Sequence, residues 1–154
     1  NITEENIRDG LRDGKWPGRF DVVRREPLFI IDGGHNPQCI EALVKNIEDY
    51  LAGRKVIALT GVLEDKDYGD MYKPVMPLVD SFVCITPPNP RKLEAAELAE
   101  HLRRVGAKAT ACETIEAGVK LALEEAGETG VVLCFGSLYT IGAIRESLDE
   151  IGEE

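Results

Sequence analysis

The chain's 154 residues suffice for one domain with a single core, and its 44% hydrophobic content is that of an ordinary globular protein. A formal net charge of −10 sets long-range repulsion against phosphate backbones and anionic lipid, which argues against nucleic acid as a main ligand and against a membrane-surface role. No segment approaches the roughly 20 apolar residues that cross a bilayer.

Read in chain order, Thr3-Glu4-Glu5-Asn6 starts a helix: a Thr cap followed by acids suits the free amides and the dipole of a first turn. That helix carries Ile7 and Leu11 inward and stops near Gly14, before the turn Trp16-Pro17-Gly18-Arg19-Phe20. Two short extended runs follow, Phe20 to Arg24 and Leu28 to Ile31, parted by Glu26-Pro27. The period then changes. Ile40, Leu43, Val44, Ile47 and Leu51 recur at helical spacing, with Pro37 where a first turn tolerates it. Val56 to Thr60 has the length of a buried strand, Tyr68 to Val79 reads as a shorter helical stretch, and Ser81 to Ile85 as the next strand. Leu93 to Val105 is helical up to Gly106, and Ala107 to Cys112 is a short strand. Thr114 caps a helix bearing Ile115, Val119, Ala122 and Leu123; Gly130 to Phe135 is a strongly apolar strand, and Ser137 opens a last helix through Leu148. Strands that are apolar at nearly every position, alternating with helices, predict a three-layer α/β domain built on a parallel sheet.

The cysteines, Cys39, Cys84, Cys112 and Cys134, are isolated, without a CxxC pair. Three of them sit in apolar runs, where a thiol behaves as a small core hydrophobe. Disulfides and metal sites are therefore not expected, and a cytoplasmic protein is. The chain shows no leader-like segment, and it begins at Asn1 rather than Met, so a piece of a longer protein is expected, with a processed chain as the alternative.

Ligands of an open parallel sheet bind beyond the carboxyl ends of its strands. Three such ends carry polar chemistry here. Asp32-Gly33-Gly34-His35-Asn36-Pro37 follows the second extended run: Asp32 can accept bonds from a ribose hydroxyl or an ammonium, the glycines permit close approach, and the helix start favours an anion. The plainer reading is a tight turn in which Asp32 satisfies local amides. In Gly61-Val62-Leu63-Glu64-Asp65-Lys66-Asp67, Lys66 and Asp67 have phosphate chemistry but equally suit a solvated loop. In Phe135-Gly136-Ser137-Leu138-Tyr139, Ser137 suits a carboxylate at a helix start, or acts as a plain cap; Tyr139 is left unexplained by the cap. Arg19, held in its turn, offers a planar fork for phosphate oxygens, with a surface arginine as the alternative. His101 belongs to a charged helix face and is expected to be solvated.

Gly-Leu-x-x-x-x-Trp-Pro-Gly-Arg-Phe (Gly10 to Phe20), Ile-Asp-Gly-Gly-His-Asn-Pro (Ile31 to Pro37), Gly-Val-Leu-x-Asp-Lys-Asp (Gly61 to Asp67) and Gly-Ser-Leu-Tyr (Gly136 to Tyr139), in this order, resemble the folylpolyglutamate/dihydrofolate synthase branch of the Mur ligase family. The resemblance runs from about Ile2 to Leu148. Gly34 departs from the family's usual Ala or Ser but leaves Asp32 and His35 in register. It implies a Rossmann-like carboxy-terminal (glutamate ligase) domain over 1–154, with a mostly parallel sheet of about six strands. Residues 1–19 would form a helix and linker to an ATPase domain. The implied reaction joins L-glutamate to folate or dihydropteroate with ATP, through an acyl phosphate. No GxxxxGK[ST] is present, so the P-loop and the Mg2+ ligands are expected in that other domain, and the isolated domain is expected to be inactive.

Carried over, the resemblance assigns Arg19 to ATP phosphates and Asp32 to the nucleotide. His35 falls to the interdomain site near glutamate or phosphates, with a catalytic part, and Ser137 and Tyr139 to the glutamate carboxylate. No metal ligand is assigned in this chain, and Lys66 and Asp67 receive no role. The competing readings are a Mur-type amino-acid ligase of cell-wall synthesis and a non-catalytic nucleotide-binding module. A dinucleotide site would need a G-x-G-x-x-G that Asp32-Gly33-Gly34-His35 does not supply.

Overall fold

The computed structural model describes residues 21–25, 28–32, 37–64, 68–136 and 140–152. The expected amino-terminal helix lies outside them. Six strands form one sheet: β1 (Asp21–Arg25), β2 (Leu28–Ile31), β3 (Val56–Thr60), β4 (Ser81–Cys84), β5 (Ala109–Ala111) and β6 (Val131–Phe135). Their order is β1-β2-β6-β3-β4-β5. Five strands, β2 to β6, are mutually parallel, as the unbroken apolar runs predict. The edge strand β1 is the exception. It pairs antiparallel to β2, with a register shift between Val22 and Arg24.

The helices are α1 (Pro37–Tyr50), α2 (Tyr68–Tyr72), α3 (Ala95–Arg104), α4 (Ile115–Ala126) and α5 (Ile141–Gly152). Strand alternation divides the core into two clusters, one on each face of the sheet. On one face Leu28, Ile30, Ala58, Phe82, Leu133 and Phe135 meet Ile40, Leu43 and Ile47 of α1, Tyr72 of α2, and Leu98 and Leu102 of α3. On the other, Phe29, Ile31, Leu59, Val83 and Cys134 meet Val119 and Ala122 of α4 and Ile144 and Leu148 of α5. The three layers follow directly, since β2, β3, β4 and β6 bury residues on both of their faces.

Three element boundaries differ from the periodicity. The stretch from Tyr68 to Val79 is not one helix: α2 ends at Tyr72, and a 3-10 turn occupies Met76–Leu78. Pro74 and Pro77 lack the amide a continuous helix needs, and three-residue bonds from Val75 N to Tyr72 O (3.1 Å) and from Leu78 N to Val75 O (2.9 Å) replace the ladder. The next helix starts at Ala95 rather than Leu93, because Leu93 N donates to Val62 O at 3.0 Å and is held in an extended pairing. Strand β5 is only three residues long and partly exposed, as befits an edge. Thr114 caps α4 as expected, accepting from Ala117 N at 3.0 Å. Cys39, Cys84 and Cys134 are buried free thiols, and Cys112 is a half-buried one. No helix among the described residues is long and apolar enough to cross a membrane.

Candidate functional site

The topology places a switch point at the carboxyl edge of the sheet. The helices that follow β2 and β3, namely α1 and α2, pack on one face of the sheet, whereas α5, which follows β6, packs on the other. Because β6 lies between β2 and β3, the chain leaves neighbouring strand ends in opposite directions. That reversal is where open α/β sheets bind ligands.

Asp32 stands at the tip of β2 on one side of this point. Its amide donates to Cys134 O at 2.8 Å, extending the β2–β6 ladder one residue past the strand. Asp32 is only 3% exposed, so its carboxylate is held largely within the chain. The charge is felt next door: burial, and then the Asp32 carboxylate, push the Cys134 thiol up to about 12.

On the other side, β3 ends in Thr60, a fully buried hydroxyl at the end of an apolar strand. Thr60 Oγ1 donates to Phe135 O at 2.7 Å and lies 2.6 Å from the Tyr72 hydroxyl. A threonine has one hydroxyl hydrogen, already directed to Phe135, so Tyr72 is the donor in the second bond. The Tyr72 ring is set by an edge-on contact with Phe82 (5.8 Å, 87°) and a tilted one with Phe135 (5.7 Å, 50°). Burial raises its phenol well above the ordinary value, so it remains a donor at any physiological pH.

The chain leaves β6 through Gly136 at φ 113°, a conformation that side chains rarely adopt. A Cβ there would stand 2.5 Å from Gly61 O and 2.6 Å from Thr60 Oγ1. Beyond the next strand end, residues 62–64 pair with the loop after β4 through a Leu63↔Lys92 bridge and a Glu64 N to Arg91 O bond of 2.8 Å. This brings the exposed cations Arg91 and Lys92 to the carboxyl edge of the sheet.

Of the residues singled out from sequence, Asp32 lies where expected. Arg19, His35, Ser137 and Tyr139 fall outside the described residues, as do Lys66 and Asp67. Asp32, Gly61 and Gly136 do arrive at adjacent strand ends, which joins three of the four motifs at one edge. His101 is half-buried in the last turn of α3 rather than solvated. Among the described residues, no three His, Cys, Asp or Glu side chains cluster as a metal site. Thr60 and Tyr72 were not singled out from the sequence. The one available signal was a polar residue closing an otherwise apolar strand run.

The profile of the family described as "Mur ligase, glutamate ligase domain" matches residues 18–138. The dihydrofolate synthase/folylpolyglutamate synthase of Escherichia coli (strain K12) is 30% identical over 148 residues, covering 96% of this chain and 34% of that protein. Among solved structures, E. coli FolC in complex with DHPP and ADP superposes with a TM-score of 0.80 at 29% identity, covering 99% of this chain and 36% of the other. A bifunctional folylpolyglutamate synthase/dihydrofolate synthase with Mn, AMPPNP and L-glutamate bound gives 0.75 at 34% identity, covering 97% and 36%. The chain thus spans about a third of the length of the relatives it matches.

Proposed function

This chain belongs to the Mur ligase family as a glutamate ligase domain, and on that premise we propose that it serves an ATP-dependent ligase that adds glutamate to a folate or to dihydropteroate. The observation that carries the reading is the extent of the match. Nearly all of this chain, and only about a third of each of the enzymes just compared, aligns with proteins named for this synthesis. One such structure holds AMPPNP and L-glutamate together.

In the proposed reaction the acceptor's carboxylate attacks the γ-phosphorus of ATP, giving an acyl phosphate and ADP. The glutamate amine then attacks the acyl carbon, losing a proton as the amide forms and inorganic phosphate leaves. Arg19 contributes a fixed positive charge to the phosphates. Asp32 contributes to nucleotide binding, and His35 serves the interdomain site near the glutamate or the phosphates, with a catalytic part. Ser137 and Tyr139 receive the glutamate carboxylate at the exit of β6. The Mg2+ that shields the phosphates would be held by the amino-terminal ATPase domain, beside the P-loop that this reading assigns to it. That domain is the principal partner, the pair works in the cytoplasm, and the glutamate ligase domain alone does not turn over.

The test uses the full-length protein with ATP, Mg2+ and radiolabelled glutamate. Label should enter dihydropteroate or a reduced folate, with one ADP released per amide. Label entering only a cell-wall precursor would replace this reading with a cell-wall ligase. Tight ATP binding by the isolated chain, without ligation by the full-length protein, would replace it with a nucleotide-binding module.

A further inference from the structure

The buried relay Tyr72 hydroxyl → Thr60 hydroxyl → Phe135 carbonyl joins two segments that the sequence keeps far apart. Tyr72 belongs to the helix that follows the β3 loop; Phe135 is the last residue of β6, 75 positions beyond Thr60. Both bonds are short, and Tyr72 and Thr60 are fully buried. Immediately after Phe135 the chain turns at Gly136, whose missing Cβ is what allows Thr60 Oγ1 to approach within 2.6 Å of that position. The relay therefore fixes the last carbonyl of β6 directly beside the turn at Gly136. A valine at position 60 would fill the same volume but donate nothing, leaving a buried carbonyl and a buried phenol each short of a partner.

We propose that Thr60 and Tyr72 are positioning residues for amino-acid capture at the β6 strand end. The proposal rests on the reading that this strand end serves the glutamate half of the ligation. They do not touch substrate; they act through Phe135 and Gly136. Their effect should therefore fall on the KM for glutamate and much less on kcat or on the KM for ATP.

The experiment compares full-length wild type, Thr60→Val, Thr60→Ser and Tyr72→Phe. It measures steady-state kinetics for glutamate and ATP, and amide hydrogen exchange across residues 131–136. Thr60→Val should raise the KM for glutamate about tenfold, the effect of one lost buried hydrogen bond. Thr60→Ser, which keeps the hydroxyl, should return it to within about threefold. Tyr72→Phe keeps the ring in its cluster, so it serves if Thr60→Val fails to fold, and it should raise the same KM by a smaller factor. Exchange at Gly136 should quicken in Thr60→Val and recover in Thr60→Ser. Unchanged kinetics in a ligating protein would overturn the proposal. So would an equal loss for both substrates that serine does not repair, because that is the mark of general destabilisation. If wild type does not ligate glutamate, the functional reading fails separately. The relay is then judged by exchange alone, and unchanged exchange at Gly136 overturns it.

Discussion

Replacing Gly118 by alanine opposes two effects of known size. Gly118 lies in the first half of α4, and alanine in a helix is favoured over glycine by about 1 kcal/mol. A Cβ at this position, however, would overlap Ile85 Cγ2 and come within 3.3 Å of Leu59 Cδ1 and 3.7 Å of Val83 Cγ1. Ile85 is 0% exposed, and its Cγ2 is attached directly to a branched Cβ, so it cannot swing aside as the end of a long side chain would. Overpacking of this kind costs about 1–3 kcal/mol. The overlap with Ile85 Cγ2 places the steric cost in the upper part of that range, about 2–3 kcal/mol, so the steric term wins and Gly118→Ala should destabilise the chain by about 1–2 kcal/mol, some 2–8 °C in melting temperature at this length. Ile85→Ala removes the obstructing methyl. In that background the same Gly118→Ala change should stabilise by about 1 kcal/mol, giving a coupling energy of about 2–3 kcal/mol across the double-mutant cycle. Urea unfolding of the four proteins measures it. A Gly118→Ala variant more stable than wild type, or an equal effect in both backgrounds, would refute the contact as the reason for glycine.

The buried thiols make stability fall in alkali. Burial chiefly pushes Cys134 up to about 12, aided by Asp32; burial likewise takes Cys84 to about 12, with Arg103 opposing and Cys112 assisting. Below the ordinary thiol value of 9.0 both states are protonated and nothing changes; above it the unfolded chain ionises first, so stability drops as pH climbs from about 9 towards 12. At pH 10 the two thiols together should cost about 3 kcal/mol relative to pH 7, read from urea midpoints under reducing conditions; the drop should be smaller in Cys134→Ala, and an equal drop in that variant would exclude the thiol as its source. Thr114→Ala should lower stability by about 1 kcal/mol through loss of the α4 cap, whereas Thr114→Ser should keep most of it. In the full-length enzyme Arg19→Ala should lower turnover at least about a hundredfold at saturating ATP, and near-normal kinetics would remove Arg19 from the phosphate site.

Local chemistry was enough to place most elements of this protein. The spacing of Ile40, Leu43, Ile47 and Leu51 marked the face of α1 that is buried, and Thr114 marked the start of α4, because burial period and capping are properties of a few consecutive residues. Three of the four motifs also named strand ends that do meet at one edge. What the pattern could not contain was which neighbour each apolar run pairs with. A strand buried on both faces reads the same wherever it lies in the sheet, so neither the insertion of β6 between β2 and β3 nor the antiparallel setting of β1 was legible. The broken helix after Tyr72 was visible in Pro74 and Pro77 but was overridden by the apolar spacing. The deep burial of Asp32 and the Tyr72–Thr60–Phe135 relay belong wholly to the tertiary structure. Each depends on groups far apart in the chain that become partners only when the sheet closes water out, and it is that exclusion which turns an ordinary threonine into a required hydrogen-bond donor.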